Sequence, residues 1–203
     1  VSGVAGDSVI PVGELRRIYR AGRFPMHHGD GLYLHDPDPR AIFPLDQLRP
    51  NARLSRYIRS NGYGCTMDTA FEAVMRACAD RPERWISEGM VQAYVDMHKQ
   101  GHALSVEVWQ QGVLVGGLYG VKLGRAFFGE SMFSRKPNAS KAAFYHLVDH
   151  LREHGYDLFD TQYLNAHTRS LGAVEVPRSV FRQRLYAALE DQRACRTTSG
   201  IVR

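Results

Sequence analysis

Disulfide chemistry has little to work with in this sequence. Its three cysteines, Cys65, Cys78 and Cys195, stand far apart with no CxxC spacing, which excludes a disulfide framework and a cysteine zinc site and fits a reducing compartment. The densest histidine group, His27, His28 and His35, lacks a carboxylate at a ligand spacing, so these read as solvated loop residues and no metal is expected. No apolar run approaches the roughly 18 residues of a membrane span, and the opening VSGVAGDSVIPV has neither a basic lead nor a cleavage pattern. A cytoplasmic protein with no membrane partner is expected. Lysine is scarce too, with 4 Lys against 22 Arg. Arg presents a planar fork that matches phosphate and stacks on bases, so the bias points toward a nucleic acid or phosphorylated partner, although a GC-rich genome produces the same bias.

What is present describes a globular chain. With 203 residues and 44% hydrophobic content there is room for one good core, or for one domain and a small appendage. Pro11 opens a helix over 12–21. Then Pro25, Pro37, Pro39 and Pro44, with Gly29 and Gly31, forbid long elements. Residues 1–40 therefore read as a small loop-rich lobe and 41–203 as the main domain, with 192–203 a disordered tail.

The main domain opens with a helix over 51–60 that buries Leu54, Tyr57 and Ile58. Arg53, Arg56 and Arg59 recur on another face, as either a solvated stripe or a track for phosphates. A strand over 63–67 leads to a helix with Thr69 and Glu72 spaced as a capping box, and Ser87 caps the next helix. Trp85, in the loop before it, suits a core plug or a stacking platform. Three strands follow, over 104–110, 113–121 and 126–133, then a helix over 138–154, a strand over 156–162, a short helix to Leu171, a strand over 173–176 and a helix over 177–191.

Two runs carry chemistry. GESMFSR, Gly129 to Arg135, leaves Glu130 inside an otherwise apolar strand. In FDTQ, Phe159 to Gln162, period-two alternation places Asp160 and Gln162 on one face. If those strands are neighbours, three polar groups meet over Leu118, Phe127, Met132 and Phe159, the outline of a small apolar pocket with a polar end.

The order of elements is that of a mixed α+β domain resembling the GCN5-related acyltransferases, with a central, mostly antiparallel sheet flanked by helices. In that fold the loop before the long helix holds the coenzyme A diphosphate on glycines. Here the run is RKPNAS, and Asn138 and Ser140 stand where the glycines should be, which argues against acetyl coenzyme A as donor.

More specifically, the chain resembles the leucyl/phenylalanyl-tRNA-protein transferases. The resemblance covers about Gly13 to Leu185 and is carried by nine strings in the family's order: FPM, DPDPRAI, WISEGMVQAY, GHALSVEVW, LVGGLYGV, FFGESMFSR, NASK, DTQ and NAHTRSLGA. It implies transfer of Leu, Phe and weakly Met from aminoacyl-tRNA to proteins beginning with Arg or Lys, marking them for N-degron degradation, by a monomer. It makes Asp160, Gln162 and Glu130 the catalytic group, and Leu118, Phe127, Met132, Phe144, Leu147 and Phe159 the amino acid pocket. Trp85, Tyr94 and Asn165 would lie near the aminoacyl-adenosine. Leu34-His35 replaces a Trp-Trp pair of the family, which leaves His35 and Trp85 to stack on the terminal adenine.

An aminoacyl ester is already activated, so no cofactor is required: the enzyme must hold an amine against the carbonyl, accept its proton and steady the oxyanion. Asp160 is expected to take that proton directly or through Gln162. The acceptor stem is expected to be held through its phosphates by Arg53, Arg56, Arg59, Arg135 and Lys141. Rival readings are a coenzyme A dependent N-acyltransferase, a cell-wall peptidyl transferase using aminoacyl-tRNA, whose duplicated domain would not fit this length, and a non-catalytic tRNA-binding protein.

Overall fold

A computed structural model of the protein describes residues 4–5, 9–28, 31–80 and 86–197. In chain order the elements are β1 (Val4–Ala5), α1 (Val12–Arg20), β2 (Phe24–His28), β3 (Gly31–His35), β4 (Arg40–Phe43), a 3₁₀ turn (Leu45–Gln47), α2 (Ala52–Ser60), β5 (Gly64–Met67), α3 (Phe71–Ala79) and α4 (Glu88–Lys99). There follow β6 (Ala103–Gln110), β7 (Val113–Leu123), β8 (Ala126–Ser134), α5 (Ala139–Glu153), β9 (Leu158–Gln162), α6 (Ala166–Ser170), β10 (Val174–Val176) and α7 (Arg178–Thr197). Trp85 lies outside the described residues, as do 198–203 of the expected tail. Helix α7 runs to Thr197, beyond the end expected near 191.

Seven strands form the main sheet in the order β10-β4-β9-β8-β7-β6-β5. Every neighbouring pair is antiparallel except β8 and β9, the two strands joined through α5. This is the mixed α+β acyltransferase-like arrangement expected from the order of elements. Alternation along the strands sorts two cores. Tyr119, Phe128 and Leu158 face α1, α3, α4 and α7, while Leu118, Phe127 and Phe159 face α5.

Two local expectations are corrected. The proline-rich stretch is not all loop: β2 and β3 pair from Phe24↔His35 to His28↔Gly31, and β4, buried throughout, joins the main sheet between β10 and β9. Its four residues were hidden between Pro39 and Pro44, which limit it to the length observed. The capping box at α3 does not form. The buried carboxylate of Glu107 reaches over from β6 and accepts from the backbone amides of Thr69 and Ala70, both at 3.3 Å, so a distant strand caps this helix. Asn51 and Ser87 do cap α2 and α4, accepting from Leu54 N at 2.8 Å and Met90 N at 3.3 Å.

Helix α5 begins directly over β7, and glycine permits the approach. A Cβ on Gly116 would lie 2.6 Å from Ala139 Cβ and 2.9 Å from the Ala139 carbonyl carbon. Gly116→Ala should therefore lift the start of α5 and destabilise the fold by about 1–3 kcal/mol, the usual cost of overpacking. Equilibrium urea unfolding measures this, and an unchanged midpoint would mean that the seam is slack.

Candidate active site

Strands β8 and β9 pair only at Ala126↔Leu158, Phe127↔Phe159 and Phe128↔Asp160, then diverge. A cavity of about 510 Å³ occupies the opening, within the range of small-ligand sites. Its apolar wall includes Phe43, Leu118, Met132, Leu147 and Phe159, and its polar side includes Glu130, Gln162, Tyr163, Asn165 and His167.

Glu130 reaches the cavity through a bulge. Gly129 pairs with Gly120 and Ser131 with Tyr119, so Glu130 is the extra residue of β8, with no partner on β7. Such an insertion re-aims a side chain and explains a carboxylate in an apolar strand. Its Oε1 accepts from Gln162 Nε2 at 3.2 Å and its Oε2 from the Tyr94 hydroxyl at 3.3 Å. Burial pushes its carboxyl up to about 8 from the ordinary 4.5; the negative Asp160 adds to the rise, while the Tyr19 and Tyr94 hydroxyls and the positive Arg40 oppose it.

Gln162 reaches the same place through a second irregularity. Ile42 pairs with Asp160 and Ala41 with Gln162, which leaves Thr161 as the extra residue of β9, and Gln162 itself adopts a left-handed φ of 61°. A non-glycine residue there stores about 1–3 kcal/mol of strain. The expectation that alternation sets Asp160 and Gln162 side by side is thereby corrected. Gln162 lines the cavity, whereas Asp160 follows Leu158 to the α1 and α7 side and is absent from the cavity wall.

There Asp160 meets Arg40. Nε donates to Oδ1 at 2.9 Å and Nη2 to Oδ2 at 2.7 Å, with both side chains 0% exposed. Oδ1 also accepts from the Gln162 backbone amide at 3.1 Å. The guanidinium lies over Phe24 (4.7 Å) and Phe181 (4.4 Å) and donates to the Gly22 carbonyl at 3.0 Å. Asp160 thus touches the catalytic candidates only through Gln162.

Of the six expected pocket residues, four line the cavity. Phe127 and Phe144 are instead fully buried behind it, with ring centres 5.3 Å and 5.9 Å from Phe159. Phe43 was missed. It lies 4.8 Å from Phe159 and 4.7 Å from Phe144, and its strand, held between prolines, gave no periodicity long enough to read.

Tyr94 does not reach the cavity wall: it is 0% exposed beneath Glu130 and hydrogen-bonded to Tyr19. The reason is its place on the buried stripe of α4, between Met90 and Met97. Asn165 does line the cavity and caps α6, accepting from Thr168 N at 2.9 Å. His35 stacks on Phe24 (5.4 Å) and hydrogen-bonds through Nδ1 to the hydroxyl of Tyr163, a cavity residue that the sequence did not flag, at 2.8 Å.

Arg53, Arg56 and Arg59 are exposed along α2. This region adjoins the loop before α5, where the Tyr63 hydroxyl donates to the Pro137 carbonyl at 3.0 Å. Arg135 is exposed in that loop, 5.5 Å over the ring of Phe133, and Lys141 lies half-buried on the first turn of α5. The Ser140 amide, in the first turn of α5, donates to Ser134 Oγ at 3.1 Å and is thereby satisfied within the chain.

Residues 42–186 match the family model for leucyl/phenylalanyl-tRNA protein transferase. A leucyl/phenylalanyl-tRNA–protein transferase from Gloeobacter violaceus is 51% identical over 177 residues, covering 86% of this chain and 92% of that protein. One from Ruegeria pomeroyi is 51% identical over 174 residues, covering 84% and 83%. A solved structure of a conserved protein of unknown function from Bacteroides thetaiotaomicron superposes with a TM-score of 0.51 at 12% identity, covering 67% of this chain and 54% of that one, a likeness of fold alone.

The buried pair generates a stability test. Arg40→Met leaves the Asp160 carboxylate buried without its partner and should cost about 3–5 kcal/mol, whereas Arg40→Met/Asp160→Leu should recover much of that loss. Chemical denaturation of the two variants decides it, and equal losses in both would remove the ion pair from the explanation.

Proposed function

Since this chain belongs to the leucyl/phenylalanyl-tRNA protein transferase family, we propose that it transfers Leu or Phe, and Met weakly, from aminoacyl-tRNA to the amino terminus of proteins beginning with Arg or Lys, marking them for degradation. The observation that carries this reading is the contact between Gln162 and Glu130 beside an apolar wall, at the point where two strands part.

The apolar wall takes the side chain of the donor. Phe43, Leu118, Met132, Leu147 and Phe159 suit unbranched groups such as Leu, Phe and Met, and β-branched Ile and Val fit such a slot poorly. Glu130 takes the proton. The α-amine of an acceptor titrates at about 7.7–8.0, so a carboxyl held at about 8 is matched to it and can accept a proton with little free-energy penalty. The freed amine attacks the ester carbonyl and a C–N bond forms; the C–O bond to the ribose breaks as Glu130 gives its proton to the departing ribose oxygen, and the ionised Glu130 then takes the second proton from the new amide nitrogen and releases it to solvent. Gln162 orients the carboxylate through Nε2 and offers its own oxygen to the amine. Asp160, with both oxygens engaged by Arg40, acts through Gln162 by holding its backbone amide.

The phosphates of the acceptor stem bind the exposed Arg53, Arg56, Arg59 and Arg135 with Lys141, beside the cavity rim at Ser134. We propose that the protein works as a monomer in the cytoplasm, with residues 1–40 a small lobe on the domain that follows.

Transfer of Phe from charged tRNA to an Arg-initiated peptide is the direct test. Glu130→Gln and Gln162→Ala should each slow it by ~10²–10⁴ while charged tRNA still binds. The base must be ionised to act, so the wild-type rate should rise with pH through about 8, and in Glu130→Gln the rise that remains should follow the acceptor amine alone. Near-normal turnover in both variants would remove the assignment. Phe159→Ala enlarges the apolar wall and should shift preference toward bulkier donors in a graded way, since a pocket methylene is worth about 1–3 kcal/mol. Unchanged Leu-to-Phe ratios would place the donor side chain elsewhere. For the stem, removing the three α2 arginines together should flatten the salt dependence of tRNA binding by roughly 0.9 for each phosphate no longer neutralised, less on a single strand, with donor choice unmoved. An unchanged slope would return that helix to a solvated face.

A further inference from the structure

Behind Glu130, on the side away from the apolar wall, stands a pair of tyrosines that the transfer reaction as described does not use. Tyr94 from α4 places its hydroxyl 3.3 Å from Glu130 Oε2, and Tyr19 from α1 hydrogen-bonds to the Tyr94 hydroxyl. Both side chains are 0% exposed, so the chain of oxygens ends at a carboxylate and has no contact with solvent. The groups facing Glu130 come from four elements: Tyr19 on α1, Tyr94 on α4, Gln162 and Asp160 on β9, and Arg40 on β4. Burying two hydroxyls costs stability unless each is satisfied, and an apolar core could have been built here with phenylalanine.

We propose that Tyr94, backed by Tyr19, is a positioning residue for the transfer reaction: the hydroxyl pair holds the Glu130 carboxylate toward the acceptor amine and supports it in both of its proton states. This rests on the reading of Glu130 as the proton acceptor. A hydroxyl can donate or accept, so the chain can run in either direction. With Glu130 ionised, Tyr19 donates to Tyr94 and Tyr94 donates to Oε2. With Glu130 protonated on Oε2, that proton is donated to Tyr94, and Tyr94 turns to donate to Tyr19. The carboxyl therefore gains and loses its proton at the cavity without leaving a buried polar atom unpaired and without a rearrangement of heavy atoms. Gln162 holds Oε1 throughout, which fixes the plane of the group.

Both tyrosine hydroxyls favour the ionised carboxylate, and burial of the tyrosines holds each well above its usual range, so neither competes for the charge. Loss of the donor should make Glu130 harder to ionise. The alkaline-rising limb of kcat/KM should move to higher pH by about one to two units in Tyr94→Phe, the size of one hydrogen bond to an ionised group. Tyr19→Phe should move it in the same direction, since the Tyr19 hydroxyl also favours the ionised carboxylate. KM for charged tRNA should stay near wild type in both.

The acceptor amine titrates identically in every variant, so the difference in midpoint is read against wild type with one peptide. A second measurement follows the Glu130 carboxyl directly, by carbon NMR of protein labelled in its glutamates, with Glu130→Gln assigning the signal. Midpoints for Tyr94→Phe within a few tenths of a unit of wild type, in rate and in NMR, would overturn the proposal. So would an equal pH shift when Tyr94→Phe is added to Glu130→Gln. If Glu130→Gln itself transfers normally, the reading of Glu130 as base fails. If Glu130→Gln is inactive and Tyr94→Phe leaves the limb in place, only the role of the tyrosines fails.

Discussion

The Arg40–Asp160 pair is the constraint on which the rest of the site depends. Removing two charges from water is expensive, and the attraction between them compensates only when geometry is good and the remaining donors are satisfied. Here the contact is two-pronged, a third guanidinium nitrogen is taken by the Gly22 carbonyl, and the faces of the cation lie against Phe24 and Phe181. One residue thereby ties the turn after α1, strands β2, β4 and β9, and helix α7. Because Asp160 Oδ1 also holds the Gln162 amide, the same contact bears on the strained residue that faces the cavity.

Around that anchor, departures from regular sheet make the chemistry possible. A flat pairing of β8 with β9 would leave no opening, and regular alternation would turn Glu130 and Gln162 away from each other or into packed core. One extra residue in β8 and one in β9 bring them to 3.2 Å at the point where the strands separate. The cost is a carboxyl held at about 8 and a left-handed glutamine. Stability given up at a reactive site is a common exchange. The long helix contributes differently: the Ser140 amide in its first turn is occupied by Ser134 and its start is pressed onto Gly116.

Much of this was readable from residue patterns. Helices α2 to α5 and strands β5 to β8 follow from apolar periodicity, and the start of α4 from the cap at Ser87, because a side chain two or four positions away is placed by local geometry alone. Glu130, Gln162, Leu118, Met132 and Phe159 were named from their sequence setting, Leu147 from the family resemblance, and all six line one cavity. The nine strings shared with the transferases gave the family before any coordinates, and the family match and the two relatives agree with it.

What local pattern could not supply was anything set by a partner distant in sequence. Asp160 looked like a base because an aspartate two residues from a glutamine shares its face in a regular strand. Only the pairing with β4, 120 residues away, reveals the extra Thr161 and the arginine that claims the carboxylate. Tyr94, expected from the resemblance near the aminoacyl-adenosine, lies in the core against Tyr19, 75 residues earlier. Thr69 looked like the cap of α3, a role that Glu107 fills from another strand. The sequence by itself determined the elements, the family and the residue types at the site, since these rest on short-range periodicity and recurring strings. The tertiary structure decided which carboxylate faces the cavity and which is buried in an ion pair, because bulges and ion pairs are properties of two segments meeting and leave no trace in either alone.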